Sequence, residues 1–397
     1  MSGTLESLEK IRNLDKPFPY TAPIRDWKEQ GKKVVAFQCV YMPEEILYAT
    51  GALPIRLTGH GRELGLEEAN ALMYVNTCSF IRSCLELVLD NQFHFLDGFV
   101  AGATCDCSRR LGDIWIDRNF TPFVHVLTIP RKMTSWAYEL YEAELRDFIR
   151  KVEEHFQVKI TDEALWQAIE VYGRRRKLLR KLNEMRKQDA PPISGSEFMD
   201  VLNASMRMPP EVFNRLLEDL VEEAANSGRA LPARFRIMLN GSPLNNPDFI
   251  EAIEEMGGLV VVDELCTGIR YWFEGVDPAP DAVKALSRRY LHNFPCPRME
   301  PTEDRSARVA KLVQDYRIDG VVTQMVRYCV PWTMEQPLER MMLDELNIPV
   351  LELDLEYGTP GTGPIRTRLQ AFMEMLEGKK AGNPVPKGSG HAGPGRI

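Results

Sequence analysis

Short apolar runs alternate with amphipathic helical patterns along most of this 397-residue chain, and this alternation constrains the fold more than any other feature. A run of four to eight apolar residues has the length of a buried strand, and strands that alternate with helices are typical of a parallel sheet with helices on both faces. The first group of predicted strands covers 33–38, 52–57, 97–101 and 123–127.

The same plan returns near the end of the chain, with predicted strands at 234–240, 259–263, 320–325 and 349–353. Long amphipathic helices fill the stretch between the two groups. The last 19 residues are rich in Gly, Pro and Lys and can bury almost nothing. The sequence therefore predicts an α/β protein with two doubly wound parallel-sheet domains joined by a helical segment, divided as 1–134, 135–230 and 231–378, with a disordered tail at 379–397.

Composition excludes several classes of protein. The formal net charge is −8, which argues against nucleic acid as a partner because phosphate binding needs a clustered basic surface. The one basic run, at 174–177, is interpreted as a solvated helix face or, less simply, as an anion-docking patch. The apolar runs are far shorter than the ~20 residues that span a bilayer, and the N-terminus has no secretory signature. A cytoplasmic protein without membrane contact is expected.

Eight cysteines in such a chain favour metal ligation or simple burial, because reducing compartments keep thiols free. Cys78, Cys105 and Cys329 each lie just past an apolar run. In open α/β sheets the carboxyl ends of the strands form the crevice where ligands bind, so these three thiols can converge there. The prediction is a metal cluster, with packing in the core as the alternative for each cysteine.

The other cysteines and nearby polar residues receive weaker assignments. Cys84 is expected to pack in the core and Cys107 to face away from Cys105, while the role of Cys296 stays open. No residue is assigned to catalysis. Residues assigned to a ligand or neighbouring position are Cys266, Asp106 and Arg270, and those assigned to a substrate loop are Cys39 and Glu44.

Motifs of other enzyme classes are absent from the sequence. It contains no G-x-S-x-G, no phosphate-binding P-loop, no H-E-x-x-H, and no G-x-G-x-x-G after the first strand. With only six scattered histidines, a zinc site built on histidine is not expected.

Several phrases resemble one known family, the iron–sulfur subunits of 2-hydroxyacyl-CoA dehydratases and benzoyl-CoA reductases. The resemblance runs in order from about residue 30 to 377 and is specific only when the phrases are taken together. The phrases are PEEILYATGALP at 43–54, TCSFIRS at 77–83, TCD at 104–106, DELCTG at 263–268, YCVP at 328–331 and RTRLQAFMEML at 366–376.

This resemblance implies a [4Fe-4S] cluster held by Cys78, Cys105 and Cys329, with the fourth iron position open. It also implies an oxygen-sensitive, anaerobic enzyme, either a radical 2-hydroxyacyl-CoA dehydratase, which is a lyase, or a benzoyl-CoA reductase-type oxidoreductase. The implied partners are a homologous iron–sulfur subunit, in a hetero- or homodimer, and a separate ATP-hydrolysing activator that delivers one electron. The implied substrate is an acyl- or aroyl-CoA thioester.

Two departures from the family pattern leave other functions open. The chain has Cys329-Val330-Pro331 where Cys-Asp-Pro is expected, and Cys39 where some catalytic subunits carry serine. A homodimeric reductase with a double-cubane cluster is one alternative, with which Cys266 is compatible. A cluster-carrying electron-transfer protein with no thioester site, and a cofactor-free scaffold with buried cysteines, are the others.

Overall fold

The computed structural model describes residues 4–61, 64–359 and 363–382. Its core consists of two four-stranded sheets, and their strands are buried except in part at the edge strands 123–128 and 350–355. The strands of the first sheet are β1 (Val34–Phe37), β2 (Leu53–Arg56), β3 (Gly98–Ala103) and β4 (Phe123–Thr128). Those of the second are β5 (Phe235–Gly241), β6 (Gly258–Glu264), β7 (Gly320–Val326) and β8 (Val350–Leu355).

Both sheets are parallel throughout and share one strand order. The first sheet runs β2-β1-β3-β4 and the second β6-β5-β7-β8, so the second repeats the topology of the first. Each order reverses direction once, between the first and third strands of its half. In parallel α/β sheets the ligand-binding crevice lies at this point, beyond the carboxyl ends of the strands. The predicted fold class, with two parallel α/β units, is confirmed.

Helices cover both faces of the sheets and fill the region between them. No helix in the described part of the chain combines the length and the apolar composition that a bilayer crossing requires. The helices are α1 (Glu6–Leu14), α2 (Ala22–Glu29), α3 (Glu44–Tyr48), α4 (Glu67–Leu72), α5 (Ser79–Leu89), α6 (Asp106–Arg118), α7 (Ser135–Phe156), α8 (Asp162–Glu184), α9 (Gly195–Ser205), α10 (Pro210–Asn226), α11 (Pro247–Glu255), α12 (Ile269–Trp272), α13 (Ala282–Leu291), α14 (Thr302–Asp315), α15 (Val330–Glu345) and α16 (Gly363–Lys380).

Two helices differ in extent from the sequence-based expectation. The amphipathic pattern of the sequence predicts a helix from Leu338 to Leu346, but α15 already begins at Val330. Pro331 lies in its first turn, where no backbone donor is needed, and Pro337 is accommodated inside the helix. Helix α16 continues through Lys380 and so includes the first two residues assigned to the tail. Residues 383–397 of that tail lie outside the described residues.

The long helices α7 to α10 join the two sheets into one packed body. One apolar cluster contains strand residues from both sheets together with residues of these four helices. The N-terminal helix α1 packs on α9 and α10 rather than on the first sheet, and Arg12 donates to Asp200 at 2.7 Å. A second apolar cluster covers the other face of the first sheet and includes Val326 and Tyr357 from the second half of the chain.

The basic run in α8 is a solvated face only in part, because Arg174 and Lys177 are exposed whereas the two arginines between them are not. Arg175 and Arg176 are buried, and they pair with Glu44 and Glu45 on α3. A buried charge is tolerated when an opposite charge and further hydrogen bonds surround it. This pairing ties the helical segment to the first sheet, so the arginines are structural and not available to an anion in solution.

Candidate metal centre

Cysteines follow three of the four strands that flank the two crevices. Cys39 lies just after β1, Cys105 just after β3 and Cys329 just after β7. The corresponding position after β5 is taken by Gly241 and Ser242. Because these strand ends are where α/β proteins bind ligands, the cysteines lie at the places of highest functional expectation.

Cys105 is the N-cap of α6 and is held in place by its neighbours. Its extended backbone lets its sulfur accept the Ser108 N–H at 3.4 Å. The Ser108 hydroxyl in turn lies 2.7 Å from the Gly102 carbonyl oxygen and 2.8 Å from Oε1 of Gln38. The cysteine is thereby fixed to the ends of both β1 and β3.

Cys329 is the N-cap residue of α15, with a backbone conformation different from that of Cys105. Its side chain hydrogen-bonds with Ser242, whose hydroxyl also accepts the Val326 N–H at 3.0 Å. Gly241 makes this approach possible, since a Cβ there would lie 1.7 Å from the Gln324 carbonyl oxygen. Burial raises the pKa of Cys329 to about 11, against the opposing effect of Ser242.

Cys78 is the third cysteine at a helix start, the N-cap of α5, and it is 7% exposed. Its thiol lies near those of Cys105, Cys107 and Cys329. The structure therefore brings together all three cysteines predicted from the sequence, although they come from segments far apart in the chain. Each lies at the positive end of a helix dipole, which favours a thiolate or an anionic group at the point where they meet.

Cys107 belongs to the same group, so the expectation that it faces away was wrong. Its side chain hydrogen-bonds with those of Cys78 and Cys105. These interactions lower the pKa of Cys107 and, together with burial, raise the pKa values of Cys78 and Cys105. We call Cys78, Cys105, Cys107 and Cys329 the first thiol group. The prediction assumed that side chains alternate in direction as they do along a strand, but the helix α6 already begins at Asp106.

A second thiol group, which the sequence did not reveal, lies next to the first and consists of Cys39, Cys266 and Cys296. Cys296 lies within electrostatic range of the other two, and Cys329 lies within range of Cys266 and Cys296. The Cys296 N–H donates to the Tyr41 hydroxyl at 2.9 Å. Burial raises the pKa of Cys296, with Arg270 acting in the opposite direction.

Cys39 in this second group has a strained backbone. Its φ is +84°, a conformation that costs a residue with a side chain roughly 1–3 kcal/mol and persists where the surroundings impose it. Its Cβ lies 3.2 Å from where a Cβ on Gly102 would stand, at the end of β3. Strain of this kind is concentrated at functional sites, which makes Cys39 a functional candidate.

The polar residues assigned from the sequence fall in three different environments. Asp106 has a side chain that is 79% exposed and lies 3.5 Å from Arg110. Arg270 is buried, pairs with Glu264 and lies over the ring of Trp332 at 5.3 Å. Glu44 is also buried, accepts from Arg175 and from the Tyr271 hydroxyl at 2.9 Å, and burial raises its pKa.

The donor chemistry of the first thiol group fits an iron–sulfur cluster. Cysteine thiolates hold such clusters, and Asp106, the acidic residue next to Cys105 in the sequence, has a side chain that is 79% exposed. Within residues 4–61, 64–359 and 363–382, no three His, Cys, Asp or Glu side chains are arranged around one point as ligands of a single metal ion would be. A cluster makes a different demand, because each thiolate binds its own iron atom.

Fold and site together define an α/β protein with two parallel sheets and a crevice lined by cysteines. The family described as 2-hydroxyglutaryl-CoA dehydratase, D-component, matches residues 39–376, and the chain belongs to this family. The predicted family is thus confirmed, and so, at the level of the family, is its enzyme class of 2-hydroxyacyl-CoA dehydratases and benzoyl-CoA reductases.

Three relatives illustrate the range of named activities. The chain is 30% identical to the putative dehydratase subunit YjiM of Escherichia coli K12, over 89% of this chain and 94% of the relative. It is 26% identical to a benzoyl-CoA reductase subunit of Thauera aromatica, over 94% and 99%. It is 24% identical to the beta subunit of (R)-2-hydroxyglutaryl-CoA dehydratase of Acidaminococcus fermentans, over 95% and 100%. Each is named as one subunit of a larger enzyme.

Proposed function

We propose that this protein is a [4Fe-4S] subunit of a CoA-thioester dehydratase or reductase, with Cys78, Cys105 and Cys329 as the cluster ligands. The observation that carries the proposal is that all three are helix N-caps, delivered from three separate segments to one crevice. Packing alone does not account for this arrangement, because alanine or serine would fill a half-buried site about as well as cysteine. A shared role as ligands accounts for it.

The residues of the chain would hold and adjust the cluster. The three thiolates bind it, the Ser108 N–H and the Ser242 hydroxyl donate toward Cys105 and Cys329, and the helix dipoles offset its negative charge. When bound, such a cluster supplies electron transfer at low potential and an iron atom able to act as a Lewis acid. The surrounding apolar clusters limit access of water.

The substrate and partners follow from the relatives named above. An acyl- or aroyl-CoA thioester would be the substrate, and a homologous iron–sulfur subunit would complete the enzyme. The chain has no P-loop for a nucleotide, so electrons would come from a separate ATP-hydrolysing activator. An anaerobic cytoplasm is the setting that an oxygen-sensitive cluster of this kind requires.

Iron analysis of anaerobically purified protein tests the cluster. About four irons per chain are expected, and Cys78→Ala, Cys105→Ala or Cys329→Ala should each remove most of the iron and the brown colour. Cys84→Ala is the matched control, since Cys84 is fully buried in the apolar cluster and lies outside both thiol groups. A colourless protein with stoichiometric zinc would overturn the proposal.

Calorimetry with CoA thioesters separates an enzyme subunit from an electron carrier. The thioester should bind the iron-loaded protein and a mixture with its homologous subunit, whereas a carrier that lacks a substrate site binds none. Absence of binding in both preparations would favour the electron-transfer alternative.

The second thiol group favours one further candidate, a homodimeric reductase with a double-cubane cluster. Cys39, Cys266 and Cys296 supply three more thiols, and Cys266 and Cys296 lie within electrostatic range of Cys329. About eight irons per chain are then expected, and Cys39→Ala, Cys266→Ala or Cys296→Ala should reduce the iron content by about half. If these variants retain the full iron content of a four-iron protein, the single-cluster function stands.

A further inference from the structure

A cavity of about 280 Å³ lies beside the carboxyl ends of β2 and β5, and the site described above does not use it. Its walls are the loop after β2, the loop between β5 and α11, the end of α9 and the segment after α1. Ligands of α/β proteins bind at this edge of a parallel sheet, the edge that also carries Cys105 and Cys329. At ~30 Å³ for each water molecule, the cavity has room for a small ligand.

Asn246 gives the cavity a buried hydrogen-bond donor that the protein does not use. It is the N-cap of α11, its Oδ1 accepts the Asp248 N–H at 3.0 Å, and its side chain is 3% exposed. Its Nδ2 has no hydrogen-bond partner among the described residues. The other two asparagines of the wall use theirs, since Nδ2 of Asn203 donates to the Asn245 carbonyl oxygen at 2.9 Å and Nδ2 of Asn245 to the Gly59 carbonyl oxygen at 3.1 Å. A buried donor of this kind indicates a bound water or ligand.

Two cations line the same cavity. Arg207 is buried, donates to both carboxylate oxygens of Asp15 through Nε and Nη2, and lies over the Phe18 ring with Cζ 4.7 Å from the centroid. Its Nη1 makes no hydrogen bond within the described part of the chain. Lys16 is exposed and forms no ion pair with the residues that the structure describes.

The acidic residues of the wall leave these donors available. Asp15 is neutralised by its two bonds to Arg207, while Asp248 is exposed and engaged in an interaction of its own. The N-terminus of α11 also meets the cavity, because its N-cap Asn246 and its first residue, Pro247, are part of the wall. The positive end of a helix dipole favours an anion.

We propose that this cavity, the Asn246 cavity, binds a phosphate group. The groups left to contact a ligand are three donors, Nδ2 of Asn246, Nη1 of Arg207 and Nζ of Lys16, and a phosphate offers an acceptor oxygen to each of them. A carboxylate has only two oxygens to offer. Inorganic phosphate and a phosphate of a CoA thioester share this chemistry. The CoA source rests on the proposed function, whereas the phosphate chemistry rests on the cavity alone.

Tyr357 links the cavity to the first thiol group. Its hydroxyl donates to Oδ1 of Asn245 in the cavity wall, and its N–H donates to the Ser79 hydroxyl at 2.8 Å, directly after Cys78. A ligand whose phosphate occupies the cavity would therefore be held close to the loops that carry the thiols.

Isothermal titration calorimetry of the full chain, purified anaerobically in a phosphate-free buffer, tests the proposal with inorganic phosphate and with free CoA. Phosphate should bind, and Asn246→Asp should weaken its binding by about 10-fold or more, because a carboxylate oxygen replaces the donor and still caps α11. Asn226→Asp makes the same change at the exposed end of α10 and should leave the Kd unaltered.

Lys16→Glu gives a second measurement at an exposed position, where folding is not at risk. It should weaken phosphate binding by about threefold or more and should do so most clearly at low salt. The proposal is overturned if phosphate fails to bind at about 10 mM, or if both variants bind it as tightly as the wild type.

Two comparisons separate the sources and keep the proposed function apart. If CoA occupies the cavity, it displaces phosphate and is weakened in parallel by Asn246→Asp, whereas CoA binding that this variant does not change overturns the CoA source. Iron content is measured on the same samples. An iron-loaded protein that binds no phosphate overturns the Asn246 cavity alone, and phosphate binding that depends on Asn246 in a protein unable to hold iron overturns the cluster and leaves the cavity intact.

Discussion

Helices α6 and α15 hold equivalent places in the two sheets and are anchored by opposite means. Both follow the third strand of their sheet and begin at a cysteine of the first thiol group. Beneath α6, Trp115 stacks on Phe99 with ring centroids 4.0 Å apart, and the contact is apolar. Beneath α15, Arg305 forms a buried ionic network with Glu264, Glu335 and Glu339.

The outer faces of the two helices reverse this contrast. Helix α6 exposes ion pairs such as Arg109 with Asp113, whereas α15 exposes apolar side chains such as Met334 and Met341. The topology therefore determines where each cysteine lies. The side chains beneath each helix hold the helix on its sheet, and they can do this with apolar or with ionic contacts. Only the ionic version makes the position of a cysteine depend on pH.

The largest effect is expected from breaking the network beneath α15. Arg305→Met would leave three buried carboxylates without their shared partner and should lower the free energy of unfolding by about 3–5 kcal/mol at pH 8. Chemical denaturation under anaerobic conditions measures this. Arg308→Met, which removes a pair with Glu274 whose side chains are 25% and 27% exposed, is the control and should cost less than about 1 kcal/mol. Equal losses for the two variants would show that the network contributes nothing special.

The apolar anchor of α6 should be somewhat less costly to remove and indifferent to pH. Trp115→Leu loses the stacking on Phe99 and the hydrogen bond that the indole donates to Thr121 at 2.9 Å. A loss of about 2–3 kcal/mol is expected, the same at pH 5 and pH 8. Ile116→Ala on the same helix, at an exposed position, should change little. A strong pH dependence of the Trp115 effect would remove the contrast between the two helices.

The third prediction concerns the pH dependence of the α15 anchor. Burial and the neighbouring Glu264 raise the pKa of Glu339 to about 7, against the effect of Arg305. Because the pKa of this carboxyl is higher in the folded protein than in the unfolded chain, the folded protein binds more protons between these two pKa values. The contribution of Glu339 to stability is therefore present below about pH 4.5 and is lost as the pH rises to about 7. Glu339→Gln should therefore be more stable than the wild type at pH 8, by about 2 kcal/mol, and similar to it near pH 5.

Unfolding curves at both pH values measure this difference. Glu345→Gln, on the exposed end of α15, is the reference variant and should change stability by less than about 0.5 kcal/mol. The predicted sign is contradicted if Glu339→Gln gains stability at pH 5 rather than at pH 8.

The smallest effect is expected at the start of α6. Asp106 is well exposed and has only a distant pairing with Arg110, so Asp106→Asn should alter stability by less than about 0.5 kcal/mol. The iron content should stay unchanged. Loss of iron in this variant would bring Asp106 into the site, as the sequence had left open.

Much of this architecture could be predicted because local patterns encode it. All eight strands lie where apolar runs predicted them, and β8, predicted at 349–353, is observed at Val350–Leu355. Cys105 and Cys329 were predictable at the crevice because each follows a buried strand. The local sequence was sufficient for features that depend on a single segment of about six residues, such as the position of a strand and of the cysteine that follows it.

Features that depend on distant partners could not be predicted. Arg175 and Arg176 look like a solvated basic run until Glu44 and Glu45, 131 residues away, are known to meet them. The second thiol group depends in the same way on loops after β1 and β6 and on Cys296 arriving together. The predicted direction of the Cys107 side chain was wrong for a local reason, because the backbone changes from strand to helix geometry at Asp106.

Tyr357 connects the two halves of the molecule. This residue of the second half is buried in the apolar cluster of the first, its N–H donates to the Ser79 hydroxyl at 2.8 Å, and its ring packs against Phe80 at 5.1 Å. Prising the halves apart would expose an aromatic ring of about 200 Å² and break that hydrogen bond right beside Cys78. The contact therefore holds the segment after β8 against the start of α5, next to Cys78.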